Sequence, residues 1–220
     1  MATYGQFCPV AMAAEVLTER WTPLIVRELL CGSTRFNDLR RGVPLMSPSL
    51  LSKRLETLCR VGVVARVGGE YRLTPAGQEL RPIIDLMGVW GHRWARGDVV
   101  AKHHDASLLM WDIHRNIVAE RLPGRRVVVH FFLDGSSDHK SHFWLVLDEG
   151  CADFCLIDPG HEIDLHVRGH VRTMIDYWAG QCEFATAVRR GDLTVSGPSE
   201  LVRGLPTWFA RADLGPVGLP

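Results

Sequence analysis

The stretch TRFNDLRRGVPLMSPSLLSKRLETLCRVGVVARVGGEYRLT, Thr34 to Thr74, decides how the first half of this chain folds. Its clearest signal is Ser47-Pro48. A serine hydroxyl accepts one of the free backbone N–H groups at a helix start, and proline suits the first helical position, where its missing donor is not needed. A helix is therefore predicted from Pro48. Leu51, Leu55 and Leu58 recur at helical spacing and define a buried stripe, with Ser49, Lys53, Glu56 and Arg60 on the opposite side. Gly62 stops the helix, and the glycine pair Gly68-Gly69 separates two short apolar runs, which predicts a two-stranded hairpin.

Ahead of Ser47, Arg35-Phe36-Asn37 starts a shorter helix with Phe36 and Leu39 inward and Arg35, Arg40 and Arg41 outward. Helix, turn, helix and hairpin is the order of a winged helix-turn-helix. Between Ser33 and Arg72 there are eight Lys/Arg against three Asp/Glu, a local charge that attracts polyanions. A short polar face with small hydroxyls and cations suits a major groove, although an ordinary solvated helix has the same pattern.

Working outward, residues 6 to 17 predict a short amphipathic helix entered through Cys8-Pro9. Arg20-Trp21-Thr22-Pro23 opens a second helix that ends at Gly32, with Ile25, Leu29 and Leu30 packed under the reading pair. After the hairpin, Thr74-Pro75 repeats the cap-then-proline start. A helix to about Trp94 is expected, bent or interrupted at Pro82. Its stripe of Leu80, Ile83, Ile84, Met87, Trp90 and Trp94 is wider than a small domain covers. Val10, Met12, Ile84, Met87, Trp90 and Trp94 are therefore the expected dimerisation residues; packing against the second half of the chain is the alternative.

Residues 7 to 95 resemble the HxlR-type transcriptional regulators, a bacterial winged-helix group. The resemblance rests on Cys8-Pro9, Arg20-Trp21-Thr22, Glu28-Leu29-Leu30 with Gly32, Arg35-Phe36 with Leu39, and Ser52-x-x-Leu55-x-x-Leu58. Gly62-Val63-Val64, Tyr71-x-Leu73-Thr74-x-x-Gly77 and Trp90-Gly91 complete it. Where the family usually has Gly-Ile-Ser, this chain has Leu45-Met46-Ser47, so the cap is kept and the turn differs. The resemblance implies a homodimer on a partly palindromic operator, its reading helices roughly 34 Å apart. It also places Cys8 where several members carry a thiol sensor, at the positive end of a helix that favours thiolate. Cys31 and Cys59 are expected to be buried packing residues.

Residues 97–105 are polar and read as a linker between a domain at 1–96 and another at 106–220. A helix is predicted from Ala106 to Arg121. Strands follow at Arg126 to Leu133, His142 to Leu147, Ala152 to Ile157 and Glu162 to Arg168, the last alternating Ile163, Leu165 and Val167 with Asp164, His166 and Arg168. Turns at Gly135-Ser136-Ser137, Glu149-Gly150 and Asp158-Pro159-Gly160 imply consecutive hairpins and an antiparallel sheet. Helices from Val171 to Gly180, Gln181 to Arg190 and Pro198 to Phe209, with a strand at Leu193 to Val195, give an α+β layer fold. This half resembles the sterol carrier protein-like fold through Asp158-Pro159-Gly160, Asp164-Leu165, Gly180, Ala185, Ala187 and Gly191-Asp192-Leu193-x-Val195-x-Gly197. That resemblance implies an apolar tunnel, with Phe132, Trp144, Phe154, Trp178, Phe184, Trp208 and Phe209 as candidate lining. A filled aromatic core is the equal alternative.

At 220 residues and zero formal net charge, the whole chain argues neither for nor against nucleic acid, but its halves differ. Residues 1 to 100 hold 13 Lys/Arg and 9 Asp/Glu, the remainder 12 and 16, as if two modules with different partners were joined. Six cysteines without a CxxC pair or a signal peptide predict reduced thiols and a cytoplasmic location. No apolar run nears the roughly 20 residues that span a bilayer. Cys151-x3-Cys155 with scattered histidines is a poor zinc set, and no Gly-x-Ser-x-Gly, phosphate loop or HExxH is present. Neither metal, cofactor nor catalysis is expected.

The sequence thus predicts a homodimeric DNA-binding regulator, controlled by an apolar ligand or by thiol oxidation. Ser47, Ser49, Lys53 and Arg54 are expected at base edges or adjacent phosphates of duplex DNA, and Arg35, Arg40, Arg66 and Arg72 on phosphates. The competing reading is a carrier or sensor of an apolar small molecule whose winged part mainly dimerises.

Overall fold

The computed structural model describes residues 3–94 and 104–210. The chain divides into two compact units, Met1–Trp90 and Gly91–Pro220. Most of the expected linker lies outside the described residues. Its last residue belongs to an element of the second unit: Asp105 caps the helix that follows, its carboxylate accepting Leu108 N–H at 2.9 Å.

The first unit runs α1 (Pro9–Leu17), α2 (Thr22–Leu30), α3 (Phe36–Gly42), α4 (Pro48–Arg60), β1 (Val64–Val67), β2 (Glu70–Leu73), α5 (Pro75–Gln78) and most of α6 (Arg81–Trp94), whose last turn passes the boundary at Trp90. Proline in the first turn marks α1, α2, α4 and α5, where a missing donor costs nothing. The long helix expected after the hairpin is two helices: α5 stops after one turn, and Pro82 becomes the second residue of α6. β1 and β2 pair antiparallel, Val64 opposite Leu73 and Val67 opposite Glu70. Gly68 and Gly69, at φ +59° and +87°, make the two-residue turn whose positive φ at both positions matches strand twist. The core is built from Ile25, Val26, Leu39, Val43, Leu51, Leu55, Leu58, Val64 and Tyr71.

In the second unit α7 (Ala106–Arg115) is followed by a 3-10 turn at Ala119–Arg121 and then β3 (Val127–Asp134), β4 (His142–Asp148), β5 (Cys151–Cys155) and β6 (Leu165–His170). α8 (Val171–Trp178), α9 (Phe184–Arg190), β7 (Leu193–Ser196), α10 (Ser199–Gly204) and a 3-10 turn at Leu205–Thr207 complete it. The helix expected to reach Arg121 ends at Arg115. The next residues are taken by backbone pairing: Ile117 bridges Phe209, and Val118 N–H donates to Trp208 O at 2.8 Å.

The sheet is mixed rather than antiparallel, in the order β5-β4-β3-β6-β7, with β6 parallel to β3. Alternation placed Leu165 and Val167 on the buried face, but the strand runs Leu165–His170 rather than from Glu162, and Ile163 packs with Trp144 on the other face; neither that pattern nor the turn at Asp158-Pro159-Gly160 selects a neighbour. Asp164 does. Its N–H donates to Val128 O at 3.0 Å, and its carboxylate accepts Val128 N–H at 2.9 Å and Arg125 Nη1 at 2.8 Å, which lays β6 beside β3.

One face of this sheet carries Val127, Val129, Phe131, Leu133, Phe143, Leu145, Leu147, Leu165 and Val167, all buried in one core with the helices' Met110, Ile113, Met174, Tyr177, Trp178 and Phe184. The candidate tunnel lining is divided between the two faces. Phe154, Trp178, Phe184, Trp208 and Phe209 belong to or pack on this core, whereas Trp144 joins Val128 and Val146 in a separate cluster. Phe132 contacts His142 and Arg168. Successive side chains of a strand point to opposite faces, so the seven aromatics read as one lining are divided between two. Replacing Asp164 with alanine should cost about 1–3 kcal/mol, because Val128 N–H loses a charged acceptor; urea unfolding measures it, and an unchanged midpoint would contradict this account of the strand order.

Candidate nucleic-acid interface

Ser47 adopts an extended conformation before α4, and its Oγ accepts Leu50 N–H at 3.3 Å and lies 3.2 Å from Ser49 Oγ. Leu51, Leu55 and Leu58 are buried. Ser49, Ser52, Lys53, Glu56 and Arg60 are exposed on the other side, so burying one stripe presents the other to solvent. Arg54 departs from the expected set. Its side chain is 17% exposed and pairs with Glu19 at 2.7 Å, so its guanidinium is committed inward rather than offered on the open face.

Glu70 of β2 stands between two cations of the expected phosphate set, 2.7 Å from Arg72 and 3.7 Å from Arg35, whose side chain is 77% exposed. The hydrogen bond from Arg72, with both charges nearby, holds the Glu70 carboxyl below the usual carboxylate range. Arg66 lies over the Tyr71 ring at 5.5 Å. Arg40 is exposed, and Arg41 pairs with Asp38 at 3.3 Å.

What sets the end of α3 against α2 is a clasp that the sequence did not reveal. Glu28, on the inward side of α2, is fully buried and receives Arg27 Nη2 at 2.6 Å, while the same Nη2 donates to Gly42 O at 3.1 Å. Gly42, the last residue of α3, has no room for a side chain: a Cβ there would stand 1.9 Å from Glu28 Cδ. An acid on the apolar side of LIVRELL was the available signal. Beyond Gly42, Val43 and Met46 are buried and Leu45 is exposed, so the altered turn before Ser47 inserts its methionine into the core.

On α1 and α6, Val10, Met12, Met87, Trp90 and Trp94 are exposed, the two tryptophans by 62% and 65%. Ile84 packs partly onto the core instead. Val10, Ala13, Leu17, Trp21, Leu24 and Met87 line an apolar depression of about 760 Å³. Cys8 is exposed at the start of α1, where backbone N–H groups of Ala11 and Val10 lower its thiol pKa. Cys31, expected to be buried, is exposed at the end of α2 because the stripe of that helix passes through Ile25, Val26 and Leu29. Cys59 is half-buried, and burial raises its pKa.

A helix-turn-helix pair with a capped, polar second helix and a glycine-tipped hairpin defines the winged DNA-binding transcriptional regulators. Residues 16–98 match the family model described as HxlR-like helix-turn-helix. The HTH-type transcriptional regulator YvaP of Bacillus subtilis is 38% identical over 98 residues, 41% of this chain and 91% of that protein. The HTH-type transcriptional regulator Rv3095 of Mycobacterium tuberculosis is 40% identical over 92 residues, 39% of this chain and 58% of that protein. The solved structure of quinone-bound YodB from B. subtilis covers 40% of this chain and all of its own, at 31% identity and a TM-score of 0.37. The chain belongs to the HxlR-like helix-turn-helix family.

Gly42→Ala should lower stability by about 1–3 kcal/mol, because the added methyl displaces a buried carboxylate. Arg40→Ala, at an exposed position, should stay within about 0.5 kcal/mol of the parent. Parallel urea unfolding of the two variants tests the contrast.

Proposed function

We propose that this protein is a cytoplasmic homodimer that binds one operator sequence through two copies of α4. The observation that carries the proposal is the division of α4 into a buried leucine stripe and an exposed face of Ser49, Ser52, Lys53, Glu56 and Arg60. In this reading Ser47, Ser49 and Lys53 meet base edges or adjacent phosphates, and Arg35, Arg40, Arg66 and Arg72 meet phosphates. Phosphate would compete with Glu70 for Arg35 and Arg72, so the hairpin binds more tightly when that carboxylate is displaced. Arg54 supports the position of α4 through Glu19. The exposed Trp90, Trp94, Met87, Val10 and Met12 support a second copy as partner, because apolar area of this size is seldom left in water.

The second unit, which resembles a sterol carrier protein-like module, serves in this reading as a ligand-sensing or dimer-stabilising part. The layer of helices over one face of its sheet supports that role. Any controlling ligand must bind the DNA-competent and DNA-incompetent forms with different affinity, since equal affinity shifts nothing. Cys8 is the candidate thiol sensor.

Anisotropy titration against the DNA upstream of the protein's own reading frame tests the reader. With about six phosphates neutralised per dimer, log K should fall with log salt at a slope near −5, whereas a slope near zero would remove the reader from the proposal. Thiol reactivity tests the sensor. At neutral pH the lowered pKa of Cys8 leaves more thiolate than the burial-raised Cys59 and Cys182, so limiting iodoacetamide should alkylate Cys8 well before those two. Peptide mass spectrometry reads the order, and equal labelling of the three would refute it.

A further inference from the structure

The sheet face of the second unit that does not meet the helices carries three histidines from three adjacent strands. His130 of β3 is central: its Nε2 lies 3.0 Å from Nδ1 of His142 on β4, and its Nδ1 lies 3.2 Å from Nδ1 of His166 on β6. The ring of His130 stacks on Trp144 at 5.0 Å and lies beside His142, centroids 5.2 Å apart and planes within 9°, so the two imidazoles are nearly coplanar with nitrogen facing nitrogen. Trp144 beneath it is buried, and its indole N–H meets no partner among the described residues. No three His, Cys, Asp or Glu side chains converge on one metal position among the described residues. The arrangement that is present is therefore a pair with a supporting third.

We propose that His130 Nε2 and His142 Nδ1 chelate one divalent transition-metal ion of the imidazole-preferring class, nickel, copper or zinc, with His166 as the positioning partner of His130. Two metal–nitrogen bonds of about 2.0–2.1 Å at a right angle hold their nitrogens about 2.9 Å apart, and a tetrahedral angle about 3.3 Å apart. The observed 3.0 Å falls between these values, and on binding each ring turns so that its nitrogen, which faces the other ring in the metal-free chain, points at the shared ion. A ligating imidazole normally donates its other ring N–H to an acceptor that fixes tautomer and orientation, and His166 Nδ1 stands where that acceptor belongs.

The proton count is unchanged on binding, with solvent water relaying one proton between the two nitrogens of His142. The two contacts fix distances rather than tautomers; the set that suits binding has His142 Nδ1–H donating to His130 Nε2 and His130 Nδ1–H donating to His166 Nδ1. On binding, the His142 proton moves to its Nε2, His130 keeps its own, and both ligating nitrogens present lone pairs. Burial and the neighbouring imidazoles His142 and His166 keep His130 neutral to lower pH than a free imidazole, while Asp158 acts the other way. Asp158, whose charge reaches His130, and Asp153, paired in register with Val146 on this face, favour a cation, and Arg168, held over the Phe132 ring at 4.6 Å, opposes one. The remaining coordination positions open to solvent, so the ion would accept water or a small external donor.

Calorimetry of the full reduced chain with nickel chloride at neutral pH is the test. One ion per chain is expected. His142→Ala and His130→Ala should each weaken it more than about tenfold, and His166→Ala by about 10–100-fold, as loss of a supporting hydrogen bond does. His161→Ala, outside the cluster, should leave it unchanged. Paramagnetic nickel should broaden the imidazole C–H resonances of His130 and His142 first in the parent chain, a readout that needs no variant to fold. Binding unaffected by His142→Ala, or broadening that spares both rings, overturns the proposal. Neither measurement involves DNA, so its failure is separate from failure of the operator reading.

Discussion

Glu28 and Gly42 occupy one space, and the first unit depends on their fit. A carboxylate fully removed from solvent is costly unless its oxygens are met, and here Arg27 meets one while bridging to the last carbonyl of α3. The bridge requires α2 and the end of α3 to approach more closely than any side chain at position 42 allows. That approach fixes where the turn begins, and Val43 and Met46 anchor it from below. The start of α4 is therefore positioned by an ionic contact outside it, while its own leucines hold the helix in place.

The second unit separates two chemistries by the pleat of one sheet. Aliphatic and phenyl side chains on one face close a core with α7, α8, α9 and α10. The opposite face gathers His130, His142 and His166 beside Trp144 and Phe132. Imidazoles on this face stack and hydrogen-bond with one another, so their ring nitrogens keep defined neighbours despite partial exposure. A filled core on one side and a polar aromatic row on the other account for the division of the aromatics that the sequence grouped together.

Much of the first unit was legible because its signals are local. Pro9, Pro23, Pro48 and Pro75 mark helix starts through a missing donor, Gly68-Gly69 marks the hairpin through positive φ, and Leu51, Leu55 and Leu58 mark a buried stripe through spacing alone. Arg54 shows where that legibility stops. A cation two positions from Ser52 looks available from its own helix, but Glu19, 35 residues earlier, turns it inward. Cys31 shows the reverse, a residue judged by type that the stripe of α2 leaves outside.

What the sequence determined by itself is most of the elements and, for most of them, the side that water avoids, because both follow from contacts within a few residues of chain. Tertiary structure alone decided which elements became neighbours: β6 beside β3 through Asp164, Glu28 against Gly42, and three histidines from distant strands brought within hydrogen-bond reach. Periodicity records which way a side chain faces and carries no information on what stands opposite. That partner is selected by backbone pairing and steric fit between segments far apart in the chain, which is why the buried stripe of α4 was legible in the sequence and the histidine row was not.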